Sequence, residues 1–170
     1  MNWSFNVSSC SPDSFYFASM YTKQEASLIK KRFWTNFGQY MKPVTGADGS
    51  KINWLNYKTG IRHIYFRMDA DNKSASIAIE FRHPDTAMQL HYFEQLRPMK
   101  TLLEKMMGEE WDWHVQQTDE DGNTVSRISK TVDEVNIFNE TDWPVIISFF
   151  KPRIMTLDEF WIGAKDMLGD

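Results

Sequence analysis

Ala26, Ile29, Phe33, Phe37 and Tyr40 recur three and four residues apart, which places them on one stripe of a helix that closes near Pro43. Thr22 and Glu25 have capping-box spacing at its start, where hydroxyl and carboxylate satisfy backbone N–H groups reciprocally. Lys31 and Arg32 fall away from the stripe and Lys23 and Lys30 flank it. A long connection follows, punctuated by Gly46, Gly49 and Gly60 and carrying Lys51, Trp54, Tyr57 and Lys58. The period then changes to two. Residues 62–69 and 76–82 alternate on either side of a polar turn through Asp71, Asn72 and Lys73, which predicts a hairpin. Ile64, Phe66 and Met68 pair with Ile77, Ile79 and Phe81 on one face. His63, Tyr65, Arg67 and Asp69 share the other with Ser76, Glu80 and Arg82.

Met88, Tyr92, Leu96, Met99, Leu103 and Met106 trace a second helical stripe over residues 85–107, divided at Pro98 and stopped by Gly108. A second hairpin runs from Trp111, Trp113 and Val115 through an acidic turn at Asp119, Glu120, Asp121 and Gly122 to Val125 and Ile128. In the tail, Thr141 reads as a cap before Asp142-Trp143-Pro144, and an apolar run reaches Phe150. Pro152 reads as a break, and Thr156 and Glu159 as a new capping box, so two short helices are expected. The order α-ββ-α-ββ-α predicts an α+β domain over residues 20–170, with an antiparallel sheet of about four strands backed by helices. Residues 1–19, rich in Ser and aromatics and without either period, read as an N-terminal arm or a leader.

Composition adds a compartment. A single cysteine, Cys10, cannot form an internal disulfide, no stretch approaches the ~20 apolar residues of a spanning helix, and the start lacks a signal-peptide pattern. A cytoplasmic protein without a membrane segment is expected. Charge adds a partner class. The formal charge of −4 conceals a split: residues 21–67 hold nine Lys/Arg and two acids, whereas residues 68–170 hold ten and twenty. A basic segment neutralises phosphates and releases their counterions, which points to DNA or RNA.

The expected nucleic-acid surface joins Lys30, Lys31 and Arg32 to Lys51, Trp54, Tyr57, Lys58, His63, Tyr65 and Arg67, cations tracking phosphates while aromatic rings stack bases. The competing structural reading puts Trp54 in the core and pairs Arg67 with Glu80 across the hairpin. A catalytic alternative uses Asp69 or Asp71 with Glu80 and Arg82, which resembles in outline the carboxylates and cation of a metal-dependent nuclease. Arg, unlike Lys, cannot readily release a proton there. A third reading is a protein-interaction module whose acidic part meets a basic partner or its own basic half.

Other signatures fail. Lys73 and Ser74 occupy positions where a calcium loop needs an oxygen ligand and a glycine. His63, His83, His91 and His114 lack metal-site spacing, Gly46 to Lys51 lacks the Lys-Ser/Thr ending of a phosphate loop, and no motif calls for a cofactor. The leading expectation is a non-enzymatic domain.

Several short motifs together resemble the bacterial and archaeal family called domain of unknown function 4268. They are Phe33-Trp34, Trp54, Ile77-Ala78-Ile79-Glu80, Trp111 with Trp113, Ser126-Arg127-Ile128, Asp142-Trp143-Pro144 and Phe160. The resemblance runs from about Tyr21 to the C-terminus. Members occur alone or attached to a nuclease-like domain, which implies an accessory role in nucleic-acid processing or a nuclease-like protein partner. It carries over no catalytic residue.

Overall fold

The computed structural model describes residues 21–168. The arm or leader expected over residues 1–19, with Cys10, lies outside the described residues. Helix α1 spans Lys23–Met41 and opens on the capping box: Glu25 N–H donates to Thr22 Oγ1 at 3.2 Å, and Thr22 N–H donates to Glu25 Oε2 at 2.7 Å. Its buried face is Phe33, Phe37 and Met41. Tyr40, expected in that stripe, is exposed beneath the Lys151 ammonium, because the run of fourth residues from Phe33 passes through position 41.

Strands β1 (Ile64–Ala70) and β2 (Ser74–Phe81) form the first hairpin in the expected register, with Ile64 opposite Phe81, Phe66 opposite Ile79 and Met68 opposite Ile77. Asp71 builds the turn by accepting from the N–H groups of Lys73 and Ser74. Helices α2 (Thr86–Leu96) and α3 (Lys100–Met107) are separated by a 3₁₀ turn at Arg97–Met99, so Pro98 divides the segment as expected, and Gly108 closes α3 in the left-handed conformation at φ 70°. Strands β3 (Asp112–Thr118) and β4 (Thr124–Asp133) form the second hairpin. The four antiparallel strands lie in the order β1-β2-β4-β3, with the hairpins joined through β2 and β4.

The tail corrects the expectation of two helices. Helix α4 runs unbroken from Trp143 to Ala164 with Pro152 inside it. Trp143, Ile146, Phe150, Ile154, Leu157 and Trp161 keep one buried stripe on both sides of the proline, and that burial outweighs the hydrogen bond lost at Pro152. Thr156 therefore sits mid-helix and caps nothing. The Thr141 cap is corrected too: the capping position belongs to Asp142, whose carboxylate accepts from Asn136 N–H, while Thr141 bonds Asn139. Pro152 is exposed, so little packing depends on its ring. Pro152→Ala restores a donor to the Ser148 carbonyl and will raise the unfolding free energy by about 1–2 kcal/mol. Urea denaturation showing no gain would mean the helix has already compensated.

One face of the sheet is covered. Phe81 meets Phe93 of α2 edge-on at 5.5 Å, and Phe66 meets Trp161 of α4 edge-on at 5.4 Å. Helix α1 lies on that same side, since Phe33 packs on Trp143, and Trp34 and Phe37 pack on Phe150. Alternation along the strands turns Tyr65, Arg67, Glu80 and Arg127 to the opposite, uncovered face. Among the described residues, no helix is long and apolar enough to cross a membrane.

Candidate functional site

The two-faced sheet divides the surface predicted from sequence. Trp54 is 3% exposed and its indole N–H donates to Val44 O at 2.9 Å, so it is core and unavailable for stacking on a base. Tyr57 is half-buried on the helical side, stacked on Phe66 at 4.6 Å, with its hydroxyl donating to Asp158 at 2.6 Å. Burial, and the bond to and charge of Asp158, push its phenol upward. On α1, Arg32 pairs with Glu140 and lies over the Trp143 ring, Lys30 lies over Phe138, and Lys31 is exposed. Lys51 is exposed beside Lys42 and Leu55, and Lys58 is exposed on the connection. These residues do not join the outer hairpin face as one patch. The basic front segment is spread over two sides of the sheet, and part of it is already met by acids from the rear.

What the fold does gather is an arginine cluster on the uncovered face. Glu80 lies in the second strand of the sheet, directly opposite Tyr65 on β1 and Arg127 on β4. Its carboxylate points away from the helices yet is only 2% exposed, because guanidinium groups roof it. Arg82 Nε donates to Glu80 Oε2 at 2.6 Å, Arg127 donates to Oε1, and Arg67 Nε stands 3.8 Å from Oε2. Arg82 reaches on to Asp119 at 2.9 Å, and these two acceptors hold its charge more firmly against partial desolvation. Asp119 is itself held below the ordinary aspartate value, first by the Asn123 backbone N–H and then by Arg82. Arg67 lies over the Tyr65 ring, 5.1 Å from its centroid.

Two hollows meet at Arg67 and Arg82. One, of about 390 Å³, runs toward an acidic rim at Asp69, Asp71 and Asp119 to Asp121. The other, of about 670 Å³, runs past Tyr65 and His83 to Thr86 and Asn123. His63 stands edge-on to His83 at 4.7 Å, and desolvation together with His83 and Arg62 holds its imidazole below the usual value. That disfavours its positive form.

The nuclease-like arrangement comes together differently from its sequence outline. Both Glu80 oxygens accept from guanidinium groups and Asp71 holds the turn. Among the described residues, no group of three or more His, Cys, Asp or Glu is placed to hold a metal ion. Arg127 and Asp119 were missing from the predicted surface, because they arrive through the β2–β4 pairing. The only local signal was the alternation that puts Arg127 on the strand face opposite to buried Ser126 and Ile128.

Fold and site together define an α+β domain with a helix-covered four-stranded antiparallel sheet and an arginine cluster on its free face. The chain belongs to the family described as Domain of unknown function (DUF4268), whose profile matches residues 29–165. Searches of curated proteins and of solved structures each found no match. Two of the short motifs that carried the resemblance meet in the cluster, as the register partners Glu80 and Arg127. Phe33, Trp54, Trp111, Trp143 and Phe160 are buried.

Proposed function

We propose that the uncovered sheet face binds the phosphate backbone of single-stranded DNA or RNA, and that the domain acts without catalysis as a nucleic-acid-binding accessory. The observation that carries this reading is the convergence of three guanidinium groups on the one buried carboxylate of Glu80. Two carboxylate oxygens cannot use all the donors of three arginines, so Arg67 and Arg127, 57% and 39% exposed, retain N–H groups directed outward. Arg presents these in a planar fork that matches a phosphate. Tyr65, 37% exposed beside Arg67, offers a ring on which a base can stack.

A shallow recess flanked by an aromatic ring suits a flexible strand better than a duplex, whose grooves call for a protruding helix or ribbon. The acidic rim repels phosphates at one end, so the strand runs toward Tyr65 and His83. With a formal charge of −4 the protein gains little from long-range attraction, and binding rests on this local cluster.

A fluorescence-anisotropy titration against labelled single-stranded oligonucleotides at several salt concentrations tests the reading. The Arg67→Ala/Arg127→Ala double variant will lose at least about tenfold in affinity. Its slope of log affinity against log salt will fall by about 1.4, roughly 0.7 for each phosphate contact removed. No binding by the unmodified protein at low salt, or unchanged binding by the double variant, refutes it.

A further inference from the structure

The arginine cluster is not a simple cationic patch, because a carboxylate of the protein's own sits at its centre. Glu80 is on the outward side of β2, between the core-facing Ile79 and Phe81, where an ordinary strand glutamate would reach into water. The guanidinium groups that pair with it cover its carboxylate. A carboxylate and a phosphate oxygen pair present much the same geometry to a guanidinium fork, so Glu80 occupies the position a bound phosphate would take.

We infer that Glu80 is an internal competitor for the proposed phosphate site: an incoming phosphate takes Arg67 and Arg127 from Glu80, while Arg82 stays clamped between Glu80 and Asp119. This rests on the nucleic-acid reading above and specifies how that site is regulated. The three arginines are committed unequally. Arg82 bonds two carboxylates and is 28% exposed, so it has least to gain from a ligand. Arg127 is tied to Glu80 through one nitrogen, Nη2. Arg67 stands beyond hydrogen-bonding distance at 3.8 Å, leaning on Tyr65, and turns outward at least cost. Repulsion between Glu80 and the ligand then lowers affinity for any isolated anion and favours one that offers several phosphates and a base for Tyr65.

The test uses the full chain and a labelled oligothymidylate of about ten nucleotides, within the span of single-strand binding sites. Glu80→Gln keeps the side-chain shape and an acceptor for Arg82 while removing the competing charge. It will tighten binding about tenfold, with a melting curve that confirms a folded protein. If Glu80 only orders the arginines, Glu80→Gln binds more weakly, and the inference falls while the parent reading stands on its own double variant. If the unmodified protein does not bind, both fall.

Should Glu80→Gln fail to fold, the unmodified protein decides by NMR. On saturation with the same oligonucleotide, the Glu80 carboxyl and the Arg67 and Arg127 guanidinium resonances will shift, and that of Arg82 Nε–H will stay. Binding that leaves Glu80 and Arg127 unmoved overturns the inference.

Discussion

Trp161→Ala will leave the domain largely unfolded at 37 °C. The side chain is 1% exposed on α4, lies edge-on to Phe66 of β1, and donates its indole N–H to Thr59 O at 2.7 Å. Truncating a buried Trp costs about 3–5 kcal/mol in lost burial and residual cavity. A stranded buried carbonyl at Thr59 adds about 1–3 kcal/mol. The sum approaches the whole stability of a typical domain, about 5–15 kcal/mol. The Thr59 hydroxyl also donates to Ile64 O at 2.8 Å, at the start of β1, so the damage reaches the strand that carries Tyr65 and Arg67. Urea denaturation should show a loss of at least about 4 kcal/mol, or no cooperative transition. Trp161→Phe, which keeps one aromatic ring but loses the N–H bond and part of the buried volume, should cost less than the alanine variant, about 2–4 kcal/mol. An alanine variant within about 1 kcal/mol of the parent would mean that the contact between α4 and β1 is not what holds the layers together.

Much of the fold was legible because its signals are local. A Thr and a Glu three residues apart announce the start of α1, and a strict alternation across a polar turn fixes the register of β1 on β2. Pro152 shows where local signals mislead. A proline inside a helix has a cost that can be read from the chain, but the stripe that outweighs it becomes visible only when α4 is laid on the sheet. Strand order was likewise not legible, since nothing within either hairpin says that β2 and β4 are neighbours.

The site follows the same division. Placing Arg67, Glu80 and Arg82 on one hairpin face needed only a period of two. Finding Arg127 over Glu80 and Asp119 beyond Arg82 needed the pairing of two hairpins. Trp54 and Tyr57 were misread for a chemical reason: each has an apolar ring and one donor, and among lysines in a long connection that combination resembles a stacking surface. A single backbone or carboxylate acceptor inside the protein turns the same ring into core. The charge split between front and rear segments is real in sequence. In space, Arg32 meets Glu140 and Arg67 meets Glu80, while Lys31, Lys51 and Lys58 stay exposed away from the outer hairpin face, so the front segment's charge is dispersed and the arginine cluster draws Arg82 and Arg127 from the rear.

Asp158→Ala will release the connection between α1 and β1 from α4. The carboxylate, 3% exposed, accepts the Tyr57 hydroxyl at 2.6 Å and the Ala47 N–H at 2.8 Å, two partners more than a hundred residues earlier in the chain. The approach is close: a Cβ on Gly46 would come within 2.4 Å of Ile52 Cδ1 and 3.2 Å of Asp158 Oδ2, so a side chain there would have to displace the Ile52 tip and would crowd the carboxylate. Removing Asp158 leaves both donors without their acceptor, at about 1–3 kcal/mol each. A total near 3–4 kcal/mol is expected in chemical denaturation. In a double-mutant cycle, Asp158→Ala and Tyr57→Phe will be non-additive by about 0.5–3 kcal/mol.

Hydrogen exchange will locate the loss, with protection disappearing at Ala47 and persisting in the paired β2 and β4 amides. The link also has a pH limit. The folded phenol of Tyr57 titrates above its ordinary value of 10.0, so its contribution is fully present below that pH and is lost as pH rises through the raised value. Asp158→Ala removes the buried anion, which will bring the Tyr57 titration down and should be read by ultraviolet difference absorbance at alkaline pH. An unchanged titration together with intact protection at Ala47 would show that α4 does not hold the connection through this carboxylate.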